Sequence, residues 1–296
     1  MRLRSVELQL PNSGEAARFL TGVWGLADAG SRKSTKFLRG TGDHPYLLSL
    51  TEAAEPGVKA ITFSGSEAEI KTSCDCVSAA GVRHGERVAE FDEPGAASGF
   101  LVEGPEGQVY RFVSERKPAG ALPAERDRPI QITHTVMNAM DRPACTRFAL
   151  EVLGFRLSDR TAIMSFVRCN RAHHCIAFAD APFSSLNHIA FEMVDLEAVM
   201  RGIGRLRDNG IAAAWGPGRH GPGNNVFGYF VSPFGAVIEY TAEVEQVDDS
   251  YREGTPEDWK WPPGRIDHWG VSSKDTPRLT EAEKRFTFRP FAETAK

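Results

Sequence analysis

Cysteine is scarce and unpatterned: Cys74, Cys76, Cys145, Cys169 and Cys175 are an odd five without framework spacing, so no disulfide scaffold is expected. No apolar run approaches the roughly 18 residues that a bilayer span needs, which excludes insertion on length. Positive charge is not in excess either. Lys and Arg number 35 against 39 Asp and Glu, the formal net charge is -4, and no basic stripe interleaved with aromatics is present. Nucleic-acid partners are therefore not expected. The first residues, Met1-Arg-Leu-Arg-Ser5, open a strand-like segment instead of a secretory leader, and with unpaired thiols this places the expected location in the reducing cytoplasm. Cys74-Asp75-Cys76 is at most half of a thiolate metal site; two neighbouring thiols without a second pair read as ordinary core or surface cysteines. What is present is 296 residues, 41% hydrophobic and 25% charged, enough for one large core or two ordinary ones.

The two halves of the chain repeat. Ala17-Arg-Phe-Leu-Thr-Gly-Val-Trp-Gly-Leu26 answers Thr146-Arg-Phe-Ala-Leu-Glu-Val-Leu-Gly-Phe155 at an offset of 129 residues. Ala60-Ile-Thr-Phe63 answers His188-Ile-Ala-Phe191, and Gly107-Gln-Val-Tyr-Arg-Phe112 answers Gly235-Ala-Val-Ile-Glu-Tyr240, both at an offset of 128. Between the halves, residues 118–129 are rich in Pro, Ala, Gly and charge and read as a linker. The expected division is residues 1–117, the linker, residues 130–245, and an extension over residues 246–296.

Within the second half, alternation predicts a strand over 130–137, then a helix capped by Asp141, with Pro143 in its first turn, running to Leu153 and ended by Gly154. Strands follow near 163–167 and 174–178. The cycle restarts with a strand over 187–193, a helix capped by Asp195 and stopped by Gly210, and strands around Ala212, over 226–231 and over 236–241. This is βαβββ twice over, and the first half fits the same scheme twice. The predicted fold class is α+β, two domains each of two βαβββ modules, with paired curved sheets enclosing one cavity per half.

Three residues stand out. His134 in Gln131-Ile-Thr-His-Thr-Val136 and His188 in Ser185-Leu-Asn-His-Ile-Ala-Phe-Glu192 occupy the first strand of their modules at matching points, and Glu239 lies in Ala236-Val-Ile-Glu-Tyr240. A lone histidine on a strand is more often a satisfied core or surface residue than a ligand. Two imidazoles and a carboxylate on strands of one cup are costly to bury unless they pair or coordinate something. Two histidines and one carboxylate are the set with which non-haem Fe(II) oxygenases hold one face of an octahedral ion and leave the opposite positions open; Mn(II) suits the same ligands. Transferred by the repeat offsets, the three positions fall on Ser5 or Val6, on Ala60 and on Arg111, none suited to iron. The first half is therefore expected to be scaffold and the second to hold the chemistry.

Two blocks carry a resemblance. One is Gly218-Arg-His220, a seven-residue spacer, Gly228-Tyr229, two residues, Ser232-Pro-Phe-Gly235 and three residues to Glu239; the other is Arg168-Cys-Asn-Arg-Ala-His173-His174-Cys-Ile-Ala-Phe178. The chain closely resembles the type I extradiol ring-cleavage dioxygenases of the vicinal oxygen chelate superfamily, most of all the 2,3-dihydroxybiphenyl dioxygenase branch, over nearly its whole length. The resemblance implies the glyoxalase/bleomycin resistance/dioxygenase fold, Fe(II) held by His134, His188 and Glu239, and dioxygen as co-substrate. It implies extradiol cleavage of a catechol, as in aromatic hydrocarbon catabolism, in a homo-oligomer.

The resemblance further implies that His174 faces substrate and oxygen and supplies a proton, and that His220 and Tyr229 hydrogen-bond the diol oxygens. His173, its neighbour on the expected strand, should face the other way as a structural residue. His220 is expected in a Gly/Pro-rich loop over residues 216–223. Val136, Phe166 and Ala177 match apolar pocket positions that suit an aryl or alkyl catechol, and Asn225 is expected beside them, with Asn224, completing the surroundings of the site. Trp215 stands where the carboxylated-catechol branch has arginine. The rivals are a metal-dependent isomerase or lyase of the same superfamily, and a non-catalytic binder of small molecules. The Trp- and Pro-rich extension is expected to wrap over the cavity mouth or form a subunit contact, and His268 is not expected to be catalytic.

Overall fold

In a computed structural model the described residues are 1–115, 117, 119–123 and 125–294, so positions 118 and 124 of the expected linker, residue 116 before it and the last two residues of the extension lie outside the described residues. The first half contributes strands β1 (Arg2–Leu10), β2 (Ala27–Arg32), β3 (Thr35–Arg39), β4 (Leu48–Glu52), β5 (Gly57–Ser64), β6 (Ser98–Glu103) and β7 (Val109–Ser114), with helices α1 (Ser13–Phe19) and α2 (Glu67–Ala79). The second contributes β8 (Ile132–Ala139), α3 (Arg142–Glu151), β9 (Arg156–Arg160), β10 (Met164–Arg168), β11 (Ile176–Asp180), β12 (Ser185–Glu192), α4 (Leu196–Asp208), β13 (Trp215–Arg219), β14 (Val226–Val231) and β15 (Val237–Ala242). The strands form a seven-stranded sheet, β2-β3-β4-β1-β5-β7-β6, and an eight-stranded sheet, β13-β14-β15-β12-β8-β11-β10-β9. The repeat is visible in the pairing, because β1 and β5 join their modules antiparallel as β8 and β12 do.

The expected caps set the helices of the second half. Asp141 accepts from the Ala144 N–H at 2.9 Å and Asp195 from the Ala198 N–H at 2.7 Å, each satisfying a donor that the first helical turn leaves free. Three modules carry βαβββ in full. The second is short of a strand, since residues between α2 and β6 reach the sheet only through isolated bridges from His84 and Val88.

Two edge-strand assignments change. The polar segment of β9 was not foreseen, and the strand expected around Ala212 lies at Trp215–Arg219. That Gly/Pro-rich run forms an edge strand, bulged between Trp215 and Gly218; proline's missing N–H is tolerated there because an edge strand pairs on one side only.

The halves share one hydrophobic core, closed by Trp24 of the first half stacked on Tyr240 of the second at 3.7 Å between ring centroids, with the Tyr240 hydroxyl donating to the Trp24 carbonyl at 2.5 Å. The cup of the first half is not hollow. Arg111 takes the sheet position that Glu239 takes in the second half, and its guanidinium, with that of Arg4, meets Glu7, Glu93 and the Tyr46 hydroxyl. Glu93 comes from the irregular segment before β6. All five groups are buried and paired, which is the condition under which buried charge is tolerated.

The extension packs back onto both halves. The Val247 N–H donates to the Arg171 carbonyl, the Asp275 N–H to the Ala214 carbonyl, and helix α5 (Thr276–Glu283) lies against β12, β14 and β15. Further on, the Val58 N–H of the first half donates to the Thr287 carbonyl. No helix among the described residues is long and apolar enough to cross a membrane.

Candidate metal centre

Strand register builds the site. His134 on β8 pairs with Ala190 on β12, Ala190 with Glu239 on β15, Glu239 with Tyr229 on β14, and Tyr229 with Trp215 on β13. Register partners share a face, so these five form one row across the sheet. His188 lies two residues before Ala190 on that same face, and Ala190, the smallest side chain of the row, leaves the space between His134 and Glu239 open. A second row runs from His188 through Val136 and Ala177 to Phe166. Val136, Phe166 and Ala177 pack as a cluster with Met164 and Ala179, so the three apolar pocket positions come together beside His188.

One ligand atom from each of His134, His188 and Glu239 lies within 4.8 Å of the others, and all three residues are buried. His134 Nε2 is 3.3 Å and His188 Nε2 3.1 Å from the same Glu239 oxygen, Oε2. Yet neither carboxylate oxygen has a hydrogen-bond partner among the described residues.

A chain of amides explains why. The Ser185 hydroxyl donates to the Glu283 carbonyl at 2.6 Å, Asn138 Nδ2 to Ser185 Oγ at 3.1 Å, and Asn187 Nδ2 to Asn138 Oδ1 at 2.8 Å. Asn187 Oδ1 is thereby an acceptor and takes the His188 Nδ1–H at 2.7 Å. Neutral His188 then has only a lone pair on Nε2, facing a carboxylate that is also an acceptor. Acceptors converging on one point, with the Tyr229 hydroxyl no nearer than 3.5 Å to His188 Nε2, fit a divalent cation, and the amides behind His188 orient the ligand. His134 Nδ1 lies 2.9 Å from Thr133 Oγ1. Burial holds His188 below its usual pKa despite Glu239.

The other expected residues surround this trio. His220 follows the end of β13, and its Nε2 lies 2.9 Å from the Tyr229 hydroxyl, which is 3.5 Å from His188 Nε2. Burial raises the Tyr229 phenol and lowers His220 to about 3, so both are neutral near pH 7. The His174 ring centroid is 4.2 Å from that of His134, and burial followed by the neighbouring imidazoles lowers its pKa.

The expected strand over 174–178 begins instead at Ile176, and His173 and His174 lie in the bend before it. Alternation therefore does not apply, and His173, far from facing the other way, meets His174 Nδ1 to Nδ1 at 3.0 Å. Asn225 is fully buried. It donates to Thr241 Oγ1 at 2.7 Å and abuts the same backbone as His174, since a Cβ on Gly223 would lie 3.0 Å from His174 Cε1 and 3.2 Å from Asn225 Oδ1. A cavity of about 790 Å³ opens elsewhere, at Met1, Arg168 and residues 247–250, and does not touch the trio. In the extension, the His268 N–H donates to the Arg219 carbonyl and its ring meets Trp261. All five cysteines are free, with Cys76 exposed on α2 and Cys74 half-buried there.

Asn187, Asn138 and Ser185 were missed in the sequence. Asn187 directly precedes a candidate ligand, and that adjacency was the one available signal.

Residues 131–240 match the model of the Glyoxalase/Bleomycin resistance protein/Dioxygenase superfamily. Metapyrocatechase 2 of Cupriavidus necator is 28% identical over 181 residues, 60% of this chain and 52% of that protein. The iron-dependent extradiol dioxygenase of Rhodococcus jostii is 27% identical over 214 residues, 63% of this chain and 70% of that protein. The matched stretch thus spans about half the length of the first of these relatives. Among solved structures, the Mn(II)-bound glyoxalase of Novosphingobium aromaticivorans is similar over 94% of this chain and 93% of its own, with a TM-score of 0.86 and 32% identity.

Proposed function

The chain belongs to the glyoxalase/bleomycin resistance protein/dioxygenase superfamily, and from that premise we propose that it is an extradiol dioxygenase that opens a catechol-type ring next to the two hydroxyls. Residues 130–245 would carry the chemistry, with residues 1–117 as scaffold. The reading rests on a buried carboxylate, Glu239, with both oxygens unpartnered beside two imidazole nitrogens.

His134, His188 and Glu239 would hold Fe(II), or Mn(II) by the same donor set. The bound ion would acidify a coordinated diol and let electron density pass between the diol and dioxygen. Tyr229 and His220 would meet the diol oxygens, the phenol remaining protonated and able to donate. His174, neutral at the start, would take a hydroxyl proton on its free ring nitrogen and return it later to the opened product. Val136, Phe166 and Ala177 offer an apolar wall for an aryl or alkyl substituent. Trp215, stacked on Tyr229 at 5.2 Å, occupies the row where an arginine would select a carboxylate.

Similarity to the Mn(II)-bound glyoxalase of Novosphingobium aromaticivorans favours a second reading, a metal-dependent isomerase of the glyoxalase type. Anaerobic loading with Fe(II) or Mn(II), followed by 2,3-dihydroxybiphenyl and air, separates the two. Dioxygen uptake with a yellow ring-opened product is expected. Metal uptake without oxygen consumption across a catechol panel, together with oxygen-independent isomerisation of a hemithioacetal, would reject the dioxygenase reading. Sedimentation of the same samples tests the expected homo-oligomer.

A further inference from the structure

The proposed role of His174 needs a free lone pair on the nitrogen that meets the diol, and a neutral imidazole has two tautomers. The buried surroundings select one. Asp159, on β9, is fully buried, and its Oδ1 accepts the Gly254 N–H at 2.8 Å and the Tyr251 hydroxyl at 3.2 Å, both from the extension. The fit is close: a Cβ on Gly254 would lie 2.4 Å from Asp159 Oδ1, so the strap approaches only because residue 254 is glycine.

The Tyr251 hydroxyl also lies 3.4 Å from Oδ2, and Oδ2 meets His173 Nε2 as an acceptor at 3.0 Å. With its one proton held on Nε2 by Asp159, His173 presents Nδ1 as a lone pair. His174 Nδ1, 3.0 Å away, must then be the donor. His173 cannot turn to escape this assignment, because its carbonyl accepts the Ser158 hydroxyl at 2.5 Å, its N–H donates to the Glu245 carbonyl at 2.8 Å, and its ring is wholly buried against Tyr251 and Phe166. The His174 ring makes this hydrogen bond from Nδ1, which leaves Nε2 as the nitrogen available to a substrate.

We propose that Asp159 and His173 are positioning residues: the chain Asp159–His173–His174, anchored by Tyr251 and Gly254 of the extension, holds His174 as the Nδ1–H tautomer and keeps its Nε2 lone pair free for the substrate. This deepens the dioxygenase reading and rests on it only for its catalytic consequence. It also gives residues 251–254 a task, since they orient the carboxylate from which the assignment propagates.

The test is the tautomeric state of His174, read from long-range 1H–15N correlations on the full-length, metal-free chain labelled with 15N-histidine. Nδ1 is expected protonated and Nε2 bare. Asp159→Asn reverses the logic without changing shape. The Gly254 N–H keeps the amide oxygen on its side, so the NH2 group points at His173 Nε2 and turns it into an acceptor. His173 then donates from Nδ1, and His174 becomes the Nε2–H tautomer. In metal-loaded enzyme the same variant should retain its ion and lose kcat on the order of 10²- to 10⁴-fold, the span of a general acid–base contribution, with KM for the diol little changed.

A wild-type His174 protonated on Nε2 overturns the proposal whether or not any variant folds, and so does a tautomer that Asp159→Asn leaves unaltered. Reversal in a chain that shows no oxygen uptake at all would uphold the relay and sink the dioxygenase reading, which keeps the two failures apart.

Discussion

Glu239→Gln should make the metal-free protein more stable and the metal-loaded protein less stable than the parent. Without an ion, the Glu239 carboxylate lies fully buried with both oxygens unpartnered, facing the lone pair that Asn187 leaves on His188 Nε2 at 3.1 Å. Glutamine keeps the shape and can turn its NH2 toward that nitrogen, replacing two opposed acceptors by a donor and an acceptor. Relief of one unmade buried hydrogen bond is worth about 1–3 kcal/mol. In a chain of this size each kcal/mol moves the midpoint by roughly 2–4 °C.

A divalent cation reverses the order. At a free concentration of one hundred times Kd it stabilises the parent by about 2.7 kcal/mol, whereas the variant, without the anionic ligand, gains little. Thermal unfolding under anaerobic conditions, after chelation and again with Fe(II) or Mn(II) added, should give melting curves that exchange places. A variant less stable than the parent in chelator, with metal shifting neither protein, would show that His134, His188 and Glu239 form a self-satisfied polar cluster. The reasoning would then fail at its root.

Two further outcomes follow from groups around the two cups. Asn187→Ala removes the acceptor behind His188 and should weaken metal binding about 10–100-fold in an equilibrium titration, leaving the fold intact. In the first cup, burial opposes ionisation of Glu93, but Arg111 and Arg4 outweigh it and hold its carboxyl at about 2, against an ordinary 4.5. A folded value below the unfolded one means stability that is complete above pH 4.5 and lost as pH falls toward 2, worth about 3 kcal/mol. Denaturant titrations across that window should show the loss in the parent and a much flatter profile in Glu93→Gln.

How much was legible differs from element to element. The helix caps Asp141 and Asp195 work through backbone groups three residues away, so local spacing was enough to find them. The repeat offset fixed which positions correspond, and strand register upholds it: Ser5, Thr62 and Arg111 align across the first sheet as His134, Ala190 and Glu239 do across the second. The Gly/Pro-rich run before His220 read as a loop because its residues disfavour strands, and only its place at a sheet edge made a strand admissible. The inward turn of His173 was illegible for a similar reason, since it depends on a bend and not on strand period.

Residue identity and periodicity pointed by themselves to the βαβββ plan, the candidate ligands and the half of the chain in which they lie, because each is written in spacings of a few residues or in a repeat of constant offset. Only the tertiary structure decided that the first cup is filled by Arg4, Arg111, Glu7, Glu93 and Tyr46, that Asn138 and Asn187 set the free nitrogen of His188, and that Asp159 reaches His174 through His173 under a strap nearly a hundred residues further along. Such hydrogen bonds join donors and acceptors that folding alone brings within 3 Å or so. No local pattern specifies them, because the chain between the partners leaves no trace of where they meet.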